Sequence, residues 1–274
     1  VPNTYLQSFA AKSTQRISYL SADLTNPDEA ARIISETKTW NNNSEPDIVW
    51  SLQGGSHPDL FLNVDSKTLR QQMDLNYFSQ ADLAHAILRE WLSPTSIASA
   101  EEEGRTRHFI FTATSLAFYP IAGYSPYSPA KAAIRSLSDT LTQEVKLYTA
   151  KSVKIHTVFP GSINSPGYTN EQKIKPEITK LLEKDDPVQE PEVVASKSIK
   201  GLERGEYLIV VNFLAAAMRG CAWGGSRRNN WVVDTLMTWV TSLAWPFIGA
   251  DLDGKVVRYG RKHGHPSGYS KTRA

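Results

Sequence analysis

Apolar residues recur along this chain in two rhythms, short unbroken runs and helical spacings. Ile17 to Leu24 reads as a strand. Asn26-Pro27-Asp28-Glu29 then opens a helix to about Thr39, with proline in its first turn and acids at its positive end. Asp47 to Leu52 is a second strand, halted at Gly54-Gly55. Leu69, Met73, Tyr77, Leu83 and Ile87 recur at helical intervals and predict one long helix from about Ser66 to Trp91. His108 to Thr112 is a third strand, Tyr127 to about Leu147 a helix, and Val153 to Phe159 a fourth strand closed by Pro160-Gly161. A helix over Glu192 to Leu202 and a strand over Tyr207 to Val211 complete the pattern. Strands alternating with helices predict an α/β fold around a doubly wound parallel sheet. Such sheets bind ligands beyond the C-terminal ends of their strands, where Gly54, Ser115 and Gly161 fall.

A nucleotide-binding sheet of this kind starts with a strand, a glycine-rich turn and a helix. No such unit precedes Ile17, and residues 1–16 read as a helix end or a loop. The strand at Ile17 would lack a neighbour for its backbone hydrogen bonds. An N-terminal βαβ unit upstream of this sequence is therefore expected. The chain also opens at Val1, with neither an initiator methionine nor a signal-peptide pattern. The 274 residues suffice for one large domain, and 41% hydrophobic content is that of a globular protein. A net charge of +2 points to no nucleic-acid partner. The single cysteine, Cys221, allows no intrachain disulfide, which suits a reducing compartment. Glu101 to Glu103 reads as a solvated acidic loop.

Candidate chemistry gathers after the third strand. Tyr127 and Lys131 stand one helical turn apart and share a face. An ammonium beside a phenol favours the phenolate and lowers its pKa toward the working range. Ser115 is placed to polarise a carbonyl or stabilise an alkoxide; Thr114, one residue earlier, offers the same hydroxyl. Asn76 is a polar residue inside a predicted helix, and its amide could order a water that relays protons to Lys131.

These residues, with Gly54-Gly55-Ser56, the run Tyr124 to Arg135, Glu144-Val145-Lys146 and the run Phe159 to Gly167, make the chain resemble a short-chain dehydrogenase/reductase over residues 17–211. Within that superfamily it is most similar to the 3-ketodihydrosphingosine reductases. The resemblance implies a Rossmann-like fold, NADPH as cofactor, and reduction of a long-chain ketosphingoid lipid by Tyr127 as proton donor. It implies that Lys131 holds the nicotinamide ribose, Ser115 positions the carbonyl and Asn76 the relay water. Asp23 and Leu24 would contact the adenine and Gly54 the adenine ribose. Pro160, Gly161, Ile163 and Ser165 would frame the nicotinamide. The sequence departs from the family at Ser51-Leu52-Gln53-Gly54, where Asn-Ala-Gly is usual, and Thr114 rather than Ser115 stands at the commonest family spacing before Tyr127. A homo-oligomer on the endoplasmic reticulum membrane, with its catalytic domain facing the cytosol, is also implied. Another lipid or steroid dehydrogenase of the superfamily, or a non-catalytic scaffold that retains the fold, are the rival readings.

The chain divides into a reductase domain over residues 1–211 and a C-terminal extension over 212–274. Trp223, Trp231, Trp239 and Trp245 lie in the extension, and Thr235 to Ala250 carries no charge. That run is shorter than the roughly 20 apolar residues a spanning helix needs, and Pro246 interrupts it. Arg219, Arg227 and Arg228 precede it; Lys255, Arg258, Arg261 and Lys262 follow. Aromatics among basic residues suit a membrane interface, with a dimer interface or an apolar flap over the active site as alternatives. His263 and His265 belong to a solvated tail and imply no metal site.

Overall fold

The computed structural model describes residues 16–148, 152–223 and 228–263. Helix α1 (Pro27–Trp40) begins where the Asn26 side chain accepts a hydrogen bond from the Asp28 amide, a cap worth about 1 kcal/mol. Strand β1 (Ile48–Trp50) follows. Helix α2 (Ser66–Met73) runs through a wide π turn (Asp74–Phe78) into α3 (Ser79–Trp91), so the single helix expected from 66 to 91 is interrupted in its middle. Such wide turns often mark functional positions, and this one carries Asn76.

Helix α4 (Pro94–Glu102) was not anticipated; its last turn holds Glu101 and Glu102, so the acidic run is exposed but not a loop. Strand β2 (Arg107–Thr112), α5 (Ser128–Glu144), β3 (Val153–Phe159), α6 (Pro166–Ile174), α7 (Glu177–Leu182), α8 (Pro191–Glu203) and β4 (Leu208–Val210) follow. Helices α9 (Phe213–Cys221) and α10 (Trp231–His263) complete the described chain.

The four strands form one parallel sheet in the order β1-β2-β3-β4. The two-residue alternation of strands gives each face its own apolar set. Phe109, Phe111, Ile155, Phe159 and Leu208 point into the larger core with α3 and α5. Ile110, Val158 and Ile209 point the other way, against Val194 and Leu202 of α8. Both faces are thus covered by helices. Trp223 joins the larger core, which binds the start of the C-terminal extension to the sheet.

The expected strand at Ile17–Leu24 does not form. Residues 16–23 are irregular, and Tyr19 and Leu20 are exposed. The reason is hydrogen bonding: among the described residues β1 has no strand partner on its outer side, so an extended segment finds no edge that would satisfy it. Residues 1–15 and His265 lie outside the described residues.

Candidate active site

The loops after β1, β2 and β3 open into one cleft of about 960 Å³. Gly54, Gly55 and Ser56 line it after β1, Thr114 and Ser115 after β2, and Pro160, Gly161, Ile163 and Ser165 after β3. Tyr127 and Lys131 line it from the start of α5, and Trp245, Ile248 and Leu252 of α10 also line it.

The glycine at 54 is a matter of space. A methyl group there would stand 2.8 Å from Asn76 Oδ1 and 2.9 Å from Lys131 Nζ, and the backbone φ of +152° also favours glycine. Asn76 is fully buried. Its Nδ2 donates to the carbonyls of Gly55 at 2.9 Å and Gln72 at 3.0 Å, and its Oδ1 accepts from the Gly55 amide at 3.0 Å. The first task of Asn76 is therefore to clamp the glycine turn.

Lys131 is 2% exposed, and its Nζ donates to the Thr112 carbonyl at 2.9 Å. Burial disfavours its charge and lowers its pKa to about 7. Its ammonium stands 5.8 Å from the centroid of the Tyr127 ring. The lowered phenol pKa expected from this pair is not what the geometry produces. Burial pushes the Tyr127 pKa up, the charge of Glu171 adds to the rise, and a hydrogen bond from Thr114 offsets part of it. Tyr127 is a protonated phenol at neutral pH, which is the form that can give a proton away.

Thr114 and Ser115 both line the cleft beside Tyr127, and of the two it is Thr114 that offsets the rise in the Tyr127 pKa. The two strand ends fix both: the Pro160 carbonyl accepts from the Ser115 amide at 2.9 Å and from Thr114 Oγ1 at 3.4 Å. Ser115 lines the same cleft. Ser165 caps α6, its Oγ accepting from the Tyr168 amide at 3.2 Å. Ile163 is held by a bridge to Gln189.

Asp23 and Leu24 are not brought to the cleft. The Asp23 carboxylate accepts from the amide and hydroxyl of Thr25, which lower its pKa, and is fully exposed. Leu24 packs on the core.

Sequence reasoning missed the second half of the cleft. Tyr124 Oη donates to Glu171 Oε1 at 2.6 Å, the Ser56 hydroxyl donates to the same carboxylate, and Lys175 Nζ reaches it at 2.8 Å. The acids Glu183, Asp185 and Asp186 line the same side. The available signal was Ser165-Pro166, a cap followed by proline, which opens α6.

The extension contributes as well. Trp245 sits edge-on to Tyr119 with ring centroids 4.8 Å apart. On its outer side α10 leaves Val232, Leu236, Trp239, Val240, Leu243 and Phe247 exposed, at the intervals of one helical face. No helix among the described residues is long and apolar enough to cross a membrane.

Comparison with known proteins identifies the family. The short chain dehydrogenase family profile matches residues 2–175. The chain is 45% identical over 260 residues to the 3-ketodihydrosphingosine reductase of Neurospora crassa, covering 94% of this chain and 71% of that protein. It is 46% identical over 269 residues to the 3-ketodihydrosphingosine reductase of Aspergillus fumigatus, covering 94% and 73%. Among solved structures, a short-chain dehydrogenase from Sphingobium yanoikuyae in complex with NADPH superimposes with a TM-score of 0.63 at 18% identity, over 80% of this chain and 77% of that one.

Proposed function

This chain belongs to the short-chain dehydrogenase family, and we propose that it reduces 3-ketodihydrosphingosine to dihydrosphingosine with NADPH. The observation that carries the reading is the convergence of Thr114, Tyr127 and Lys131 on one cleft at the strand ends. The named relatives, at 45% and 46% identity, supply the substrate.

The cleft fits a nicotinamide cofactor along the wall from Gly54 to Lys131 and Pro160 to Ser165. At Gly54 a side chain would collide with Asn76 Oδ1 and Lys131 Nζ, so backbone alone lines the cleft there. Gly54, Lys131, Pro160, Gly161, Ile163 and Ser165 would hold the group. When bound, it supplies a hydride to the ketone carbon. Every proton step belongs to the chain. Tyr127 donates its phenolic proton to the ketone oxygen as the alcohol forms. Thr114 steadies the phenol, and with Ser115 it offers hydroxyls to the same oxygen. Lys131, one turn on, stabilises the phenolate left behind, and its pKa of about 7 lets it exchange a proton near neutrality.

The substrate's two ends find matching walls. Its aliphatic chain meets Leu116, Ile121, Phe213, Leu214, Met218 and Trp245. Its ammonium, next to the ketone, meets the side carrying Asp185 and Asp186. Burial, then Glu183, lift the Asp186 pKa to about 6.

We further propose that α10 lies on a membrane surface, that of the endoplasmic reticulum, with its apolar face turned to lipid. Leu243 and Phe247 are 76% and 79% exposed, and Arg258, Arg261 and Lys262 follow on the same helix. A second copy of the chain is the competing occupant of that face. Consumption of NADPH on addition of 3-ketodihydrosphingosine, with no consumption on steroid ketones, tests the enzymatic reading. Activity on the steroids alone would move the chain to another branch of the family.

A further inference from the structure

The carboxylate of Glu171 ties the end of its own helix to two segments far away in sequence. Ser56 reaches it from the loop after β1, Tyr124 from the loop before α5, and Lys175 from the link between α6 and α7. Lys175 is 4% exposed and also bonds Glu183 at 2.5 Å. Burial opposes its charge, but the two carboxylates outweigh that and raise its pKa. Its ammonium stands 5.5 Å from the ring centroids of both Tyr124 and Tyr168.

Tyr124 passes this restraint to the catalytic helix. Its carbonyl accepts from the amides of Tyr127 at 3.0 Å and Ser128 at 2.9 Å, so it forms the first turn that aims the Tyr127 side chain. A second fastening lies beside it. Thr179 Oγ1 of α7 donates to the Ala122 carbonyl at 2.9 Å. Gly123 has a φ of +97°, and a methyl group there would fall 1.9 Å from the Thr179 oxygen. The α6–α7 segment is thus fitted onto residues 121–124 by shape as well as by charge.

We propose that Glu171 and Tyr124 are positioning residues: a latch through which the α6–α7 cover, when seated on the cleft, fixes the aim of Tyr127. The proposal rests on the reductase reading for its kinetic consequences but not for its structural ones. Seating of the cover and alignment of the proton donor become one event. Loosening the cover then lowers turnover without removing any group that touches substrate.

The test uses the full chain as Tyr124→Phe, Glu171→Gln and the double variant. Each single change is expected to lower kcat about ten-fold, with ketone KM and NADPH affinity held within about two-fold. The double variant should be no worse than Glu171→Gln alone, because that change already weakens the bond that Tyr124→Phe removes. Hydrogen exchange should quicken at the amides of both 121–131 and 166–182 in each variant. The conservative Tyr124→Phe variant keeps the ring, so a loss of fold would not explain its result. Full kcat in both single variants, additive losses, or exchange that changes only in 166–182 would overturn the latch. If the wild-type chain left the ketosphingoid untouched, the substrate reading would fall, and the exchange measurement would still decide the latch.

Discussion

Gly54 and Lys131 are packed so closely that one added methyl group on the glycine would lie 2.9 Å from the lysine Nζ. The same methyl would lie 2.8 Å from Asn76 Oδ1. The turn after β1 and the helix that carries the proton donor therefore define each other's positions. The clamp is made of side chains from a π turn, a helix and a glycine that leaves them room.

Gly54→Ala is expected to push Lys131 off the Thr112 carbonyl and to lower kcat/KM by at least about ten-fold, since misplacement near the chemistry is costly. Overpacking of this kind costs typically about 1–3 kcal/mol of stability. Steady-state kinetics and a thermal melt check both. An alanine enzyme with normal kinetics would mean that the clamp plays no part in turnover.

Thr114 and Ser115 are separated by their contacts. Thr114→Val removes the hydroxyl that lowers the Tyr127 pKa, and Ser115→Ala removes its neighbour on the cleft lining. The valine variant is expected to lose the larger share of kcat, within the general range of about 10²–10³-fold for a lost oxyanion donor. The reverse order would return the carbonyl contact to Ser115.

Lys131 should leave a mark on stability as a function of pH. Its folded pKa of about 7 lies below its ordinary 10.5. Between those values the unfolded chain binds more protons than the folded one, so this group makes stability rise with pH across that window. Below pH 7 the charge is buried and the penalty is complete. Lys131→Met is expected to flatten this dependence and to resist urea better than wild type below pH 7, while losing activity. Urea titrations of the cofactor-free protein at pH 6 and pH 9 measure it; identical pH dependence in the two proteins would contradict the burial argument.

The outer face of α10 can be altered without touching the cleft. Leu243→Glu combined with Phe247→Glu changes side chains that are mostly exposed, so the melting temperature should move little. Co-flotation with anionic phospholipid vesicles is expected to fall sharply, with ketone turnover in detergent micelles unchanged. Retained flotation, with loss of a dimer in solution instead, would assign the face to a second copy.

Trp245 brings the C-terminal helix to the cleft. Its contact with Tyr119 forms part of the cleft's apolar cover. Trp245→Ala should raise KM for a long-chain amino ketone more than for a short one, because only the long chain reaches α10. Equal effects on both would place Trp245 outside the substrate path.

What the sequence revealed was what local spacing encodes. Tyr127 and Lys131 lie one turn apart, so their shared face follows from helix geometry alone. The strands at Arg107–Thr112 and Val153–Phe159 were legible because runs such as Phe109-Ile110-Phe111 are buried on both faces. The π turn at Asn76 was not, since apolar spacing continues through it with little change. Ile17–Leu24 misled because apolar content reports a tendency to pair and says nothing of a partner. Glu171 was invisible for another reason. Its bonds to Tyr124 and Ser56 span 47 and 115 residues, and nothing in either segment names the other. The sense of the Tyr127 pKa shift was misread for the same cause: the spacing shows the lysine, but burial and the distant glutamate decide the balance.

The central claim is that Tyr127 protonates a ketosphingoid ketone in a cleft that also seats a nicotinamide. The direct measurement is NADPH consumption and dihydrosphingosine formation by the wild-type chain and by Tyr127→Phe. The account predicts equimolar product for the wild type and a fall in kcat of about 10²–10⁴-fold for the phenylalanine enzyme, with NADPH binding retained. Undiminished turnover by Tyr127→Phe, or a wild type that binds NADPH yet leaves the ketone unreduced, would contradict it.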